Sequence, residues 1–200
     1  MRISRILGAT NAAKLEIYAV VKASKLSAPP VTVRTRRAYF DCKFGQLHVR
    51  TAFPTTGGFD EQATLFCLHP ADASSRTFNG VLSELADVRS VYAPDLPGYG
   101  ESDSSPERSV ADAAAAISEL ADDLRLRQID VLGIQYGADV ALDLAAARPE
   151  LVRRLVLASV PSAERLVSVK QQRLMISAAD YGAAAPALAR QISAFLRGRP

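Results

Sequence analysis

Four short apolar runs recur along the chain: "ATLFCLH" at 63–69, "RSVYAP" at 89–94, "IDVLGI" at 129–134 and "RLVLAS" at 154–159. Each is separated from the next by a stretch with helical periodicity, and this alternation constrains the fold more than any other feature. A run that is apolar at consecutive positions suits a strand covered on both faces, and such strands belong to parallel sheets, whose neighbours need crossover connections. The connections are visible. Phe78, Val81, Leu82 and Leu85 fall at i, i+3, i+4 and i+7, residues 110–126 follow the good N-cap Ser109, and residues 136–148 stop before Pro149. The expected class is α/β, a mostly parallel sheet with helices on both faces.

Upstream, "FGQLHVRTA" sets Leu47, Val49 and Thr51 against Gln46, His48 and Arg50, which predicts a half-buried strand with His48 on its solvent face rather than in catalysis. Beyond Pro161 the strand pattern ends. Leu166, Val167, Leu174 and Ile176 predict one helix, and Leu188, Ile192, Phe195 and Leu196 predict another starting near Pro186. Their apolar stripes need cover from the upper surface of the sheet domain, a further segment or another chain. The expected organisation is a basic N-terminal helix and linker over 1–38, a core over 39–161 whose sheet breaks off after the sixth strand, and a helical, cap-like segment over 162–200.

Residues 1–38 hold eight Lys/Arg and the single acid Glu16, whereas the net charge of the 200 residues is only +3. An electrostatic partner is therefore expected at the N-terminus. There Ile3, Ile6, Leu7, Leu15, Tyr18 and Val21 form an apolar stripe that suits an amphipathic helix on this protein or a partner, or a targeting segment, before Pro29 and Pro30 break it. With 48% apolar residues the chain can bury a sizeable core. No run approaches the ~20 apolar residues that cross a bilayer. Cys42 and Cys67 have neither disulfide nor metal spacing, so inert thiols in a reducing cytoplasm are expected. No metal, cofactor or nucleic acid partner is expected, and "GIQYGA" lacks the lysine and hydroxyl of a phosphate loop.

Three landmarks follow successive strands: "LHPADASS", "APDLPGYGESD" and "GIQYGA". With "AAARPELVRRLVLAS" they make the chain, from about Tyr39 to Pro161, resemble the α/β-hydrolase fold superfamily. The resemblance implies a strand-to-helix elbow at 133–137 that displays the nucleophile position, here Gln135, and an oxyanion hole built from backbone N–H groups of Ala71 and Tyr136. Pro70 stands where the family has glycine and cannot donate. His69 matches the family's loop histidine, implied to brace backbone at the pocket wall. Asp72, Ser74 and Ser75 fall near the pocket mouth, where ordinary helix capping is the simpler explanation for them.

Gly133 and Gly137 let strand and helix approach closely while Gln135 takes a strained conformation, so the frame is that of a display site. An amide nitrogen, its lone pair delocalised, is not a useful nucleophile. The family order of nucleophile, acid and histidine also finds no histidine after His69, and leaves Glu164 and Asp180 without an imidazole to orient. The expected function is a catalytically impaired hydrolase relative that keeps a small-molecule pocket. The alternatives are an active hydrolase of an ester or epoxide bond by a non-standard mechanism, and a non-catalytic module binding a protein partner or a second copy of itself.

Overall fold

The computed structural model of the chain describes residues 33, 35–55, 62–158, 166, 168–177 and 185–198. The N-terminal stripe, Pro29, Pro30, Glu164 and Asp180 lie outside these residues. Seven strands form one sheet: β1 (Thr35–Cys42), β2 (Gly45–Ala52), β3 (Thr64–Leu68), β4 (Val91–Pro94), β5 (Ile129–Ile134), β6 (Val152–Ala158) and β7 (Gln172–Met175). Their spatial order is β1-β2-β4-β3-β5-β6-β7. The β1–β2 and β2–β4 pairs are antiparallel, and every pair from β4 to β7 is parallel. The four apolar runs thus become the inner parallel strands. Every residue of β3, β4 and β5 is buried, as strands covered on both faces must be.

The helices complete two apolar layers. Helix α1 is the short turn Leu82–Leu85, α2 spans Val110–Asp123, α3 spans Tyr136–Ala147 and α4 spans Ala185–Arg197. Ser109 caps α2, its hydroxyl accepting from the Asp112 N–H at 3.0 Å. Ile117 and Leu120 of α2 and the alanine-rich face of α3 pack with Phe66, Leu68 and Val131 on one side of the sheet. On the other side Phe78, Leu82 and Leu85 join Leu188, Ile192 and Leu196 of α4 over Leu65, Val91, Leu132 and Val156. Each of these fully buried large side chains contributes roughly 1.5–3 kcal/mol of transfer free energy.

Three features depart from the sequence reading. The first is β7: a strand parallel to β6 occupies 172–175, where the spacing of Leu174 and Ile176 predicted a helix, and the Ile176 N–H extends the ladder to the Leu157 carbonyl at 3.0 Å. The sheet therefore continues past its sixth strand. As a second difference, α4 does form near Pro186, but its stripe covers a face of the sheet rather than serving as a cap. Arg153 and Arg154 each donate to the Leu196 carbonyl at 2.9 Å, satisfying an acceptor at the helix C-terminus. The third is His48, predicted on a solvent face and found 1% exposed, because the Tyr39 ring and Asp95, the latter held by the Ser75 N–H, pack against it.

Candidate active site

The carboxyl ends of β3, β4 and β5 meet at one rim of the sheet, and the three sequence landmarks are the loops that leave them. β5 passes into α3 through a single residue, Gln135, at φ 49° and ψ −113°. Glycines on either side make the turn possible. A Cβ on Gly133 would lie 2.4 Å from the Gly137 carbonyl oxygen, and one on Gly137 would lie 2.1 Å from the Leu68 carbonyl oxygen. Strand and helix thus approach closer than any side chain allows, and the 69–71 loop leaves β3 directly beside the start of α3. The backbone at Gln135 is strained, an arrangement that costs of order 1–3 kcal/mol and concentrates at functional positions.

Gln135 is exposed, and its amide has no hydrogen-bond partner among the described residues. Tyr136 follows as the first residue of α3, so its N–H has no intrahelical acceptor. Its hydroxyl donates to the carbonyls of Arg108 and Ser109 at 3.3 and 3.2 Å, pinning the ring against the 97–109 loop. Burial pushes that phenol's pKa up, so it stays protonated. The Tyr136, Tyr99 and His69 rings stand in series, 5.8 and 5.5 Å between centroids.

His69 does not face an open pocket. It is 0% exposed, its Nδ1 contacts the Pro70 carbonyl at 2.7 Å and its Nε2 accepts from the Leu96 N–H at 2.9 Å. Those partners require the neutral tautomer with the proton on Nδ1. Burial holds its pKa below the usual imidazole value, which keeps it neutral. Ala71 and Asp72 are exposed, Asp72 with a positive φ of 57°. Ser74 caps the 3-10 turn, its hydroxyl accepting from the Arg76 N–H at 3.4 Å.

Asp95, unremarked in the sequence beyond its place in "APDLPGYGESD", organises the rim. The carboxylate is 2% exposed and accepts from the Ser75 N–H at 2.6 Å, the Glu101 N–H at 2.9 Å and His48 Nδ1 at 2.9 Å. Burial alone would push its pKa up, but these donors outweigh it and hold the carboxyl below its ordinary range. A Cβ on Gly100 would lie 2.1 Å from Asp95 Oδ2, so only glycine lets that loop close over the carboxylate. No sequence pattern announces the pairing with His48, 47 positions away.

Among the described residues no group of three or more His, Cys, Asp or Glu is placed to hold a metal ion. The description of the α/β hydrolase fold family matches residues 64–198, through β7 and α4 as well as the elbow. The chain belongs to the α/β hydrolase fold family. Among its relatives is a pimeloyl-(acyl-carrier protein) methyl ester esterase of Neisseria meningitidis, 33% identical over 138 residues, covering 68% of this chain and 48% of that protein. A 2-hydroxymuconate semialdehyde hydrolase of Pseudomonas sp. is 43% identical over 82 residues, 38% of this chain and 28% of that one. Among solved hydrolase structures, the epoxide hydrolase CorEH shares the fold with a TM-score of 0.57 at 23% identity, covering 67% of this chain and 49% of that chain. The N-acyl homoserine lactonase AidH has a TM-score of 0.55 at 27% identity, covering 62% and 45%. The chain spans less than half the length of each of these, and 31% of a Mycobacterium bovis relative.

Proposed function

We propose that this member of the α/β hydrolase fold family binds a small ligand with a polar carbonyl or ether group at the Gln135 turn and forms no covalent intermediate there. One observation carries the reading: the residue displayed at the strained turn is an amide, while both imidazoles of the chain, His48 and His69, are buried and held by other partners. A carboxamide can donate and accept hydrogen bonds but lacks a lone pair fit for attack. The N–H groups of Ala71 and Tyr136 are the proposed oxyanion donors, and there they would bind a ligand's carbonyl oxygen in its ground state. Asp72 and Ser74 are assigned to the rim of the pocket, with His69 supporting it from below.

Two small molecules named with or implied by relatives serve as probes, N-hexanoyl homoserine lactone and a short-chain methyl ester. Calorimetric titration of either is expected to show binding that Gln135→Ala weakens about 5- to 10-fold, the worth of one hydrogen bond of about 1–1.4 kcal/mol. p-Nitrophenyl acetate is expected to hydrolyse at the buffer rate with both proteins. Turnover that Gln135→Ala abolishes would instead establish the second reading, an active esterase or epoxide hydrolase working through water, which the 33% identical esterase favours. Turnover untouched by Gln135→Ala would place the reaction centre elsewhere.

A further inference from the structure

The outer edge of β1 carries a self-complementary pattern. The backbone groups of Gln46 and His48 turn away from β1: Gln46 N–H donates to Asp103 at 2.8 Å and Gln46 C=O accepts from Asp103 at 2.9 Å, while His48 N–H donates to Ser102 at 2.9 Å and His48 C=O accepts from Asp95 at 2.8 Å. The odd-numbered residues of β2 are therefore the ones that bond β1, and in the observed register their partners are Arg36, Ala38, Phe40 and Cys42. That leaves the N–H and C=O groups of Thr35, Arg37, Tyr39 and Asp41 pointing outward, and no described strand pairs with them. The side chains of Arg37, Tyr39 and Asp41 are exposed on one face, Tyr39 by 52%.

An edge eight residues long with its centre uncharged invites strand addition. Two copies meeting antiparallel about a two-fold axis must pair outward-facing residues with outward-facing residues, which limits the registers. Centring the axis on Tyr39 sets Arg37 opposite Asp41 of the second copy, twice. Moving it one residue towards the C-terminus sets Arg37 against Lys43, and moving it two towards the N-terminus sets Arg37 against itself. One step towards the N-terminus brings no ion pair. Within its own sheet Arg37 already faces Arg50, a like-charge pair that weakens the hairpin, and the nearby Glu101 carboxylate, which the Tyr39 hydroxyl and Arg37 help to hold ionised, makes no ion pair with it. An acid on its open side relieves that cost.

We infer that the chain associates as a two-fold dimer through antiparallel pairing of the β1 edges, with Tyr39 on the axis and Arg37 facing Asp41 across it. This stands independently of how Gln135 is read. Sedimentation equilibrium of the full chain at about 5–200 µM is the test. The expected mass is twice the 21.4 kDa of one chain. Arg37→Asp, or Asp41→Arg, puts like charges face to face on both sides of the axis and is expected to return the mass to that of one chain. The exchange Arg37→Asp with Asp41→Arg is expected to restore the dimer. Because both side chains are exposed, circular dichroism should be unchanged throughout. Tyr39→Cys offers a readout that survives any folding defect of the charge variants. Opposed hydrogen-bonded positions have Cα atoms about 5.5 Å apart, within disulfide range, so oxidation should cross-link the copies. A single-chain mass for the wild type over the whole range, a dimer indifferent to both reversals, an exchange that fails to restore it, or absence of the Tyr39→Cys cross-link would overturn the proposal.

Discussion

Two carboxylates are buried at opposite ends of the parallel strands, and they are held by different chemistry. Asp95, just past β4, is 2% exposed and is gripped by two backbone N–H groups and one imidazole. Asp130, near the start of β5, is 0% exposed and is gripped by guanidinium groups: Arg89 at 2.9 Å and Arg153 at 2.6 and 2.9 Å. Directional N–H donors shape the loops beside Gln135. At the other end charge locks the scaffold, since Arg153 also reaches the Leu196 carbonyl of α4. Burial pulls the Arg89 guanidinium below its usual pKa and Asp130 opposes that pull. Arg89 Nε and Nη2 have no hydrogen-bond partner among the described residues, so this cation depends on Asp130 for compensation. One end of the molecule is built to position loops, and the other to hold segments together.

The sharpest way to break this contrast is Asp130→Asn. It strands the buried Arg89 charge and is expected to cost about 3–5 kcal/mol in urea unfolding. Asp95→Asn removes a charge-assisted acceptor but strands no guanidinium, so a smaller loss of about 2 kcal/mol is expected, with faster proteolysis confined to the 69–75 and 96–103 loops. If the two variants cost the same, the proposed division of labour is wrong. Gln135→Gly should move the other way, gaining about 1 kcal/mol by releasing a positive-φ conformation that Gln135→Ala retains.

The smallest effect is in the pH profile. His69 has a folded pKa held below 6.5, so its contribution is complete above pH 6.5 and is lost as pH falls from there towards the folded value, because the unfolded imidazole binds a proton that the folded one refuses. Asp95 has a folded pKa below 3.8, so its contribution is present above that pH and disappears as pH falls through the folded value. Stability measured against pH should therefore lose its step below pH 6.5 in His69→Gln and part of its acid limb in Asp95→Asn.

The inner strands, α2 with its Ser109 cap and the elbow were legible in the sequence because their signals are local: consecutive apolar residues, a capping hydroxyl, and two glycines bracketing one residue. β7 was not legible. At the edge of the sheet its residues are mostly exposed, so Gln172 and Arg173 dilute the apolar run and the remaining spacing of Leu174 and Ile176 also suits a helix. His48 was misplaced for a related reason. The alternation along β2 is real, but at His48 the face expected to meet solvent is covered by Asp95, which the Ser75 and Glu101 N–H groups hold in place. The Asp95 cluster joins residues 48, 75, 95 and 101, and no window of sequence contains them together.

The sequence by itself determined the class of fold, the order of its inner strands and the helices between them, and the amide at the displayed position, since periodicity and residue chemistry are properties of the chain before it folds. Tertiary structure alone decided which polar residues are buried, that the sheet runs on to a seventh strand, which face α4 covers, and which backbone groups of β1 face away from β2. Burial depends on what the rest of the chain places overhead, and pairing depends on register, and both arise only when distant segments meet.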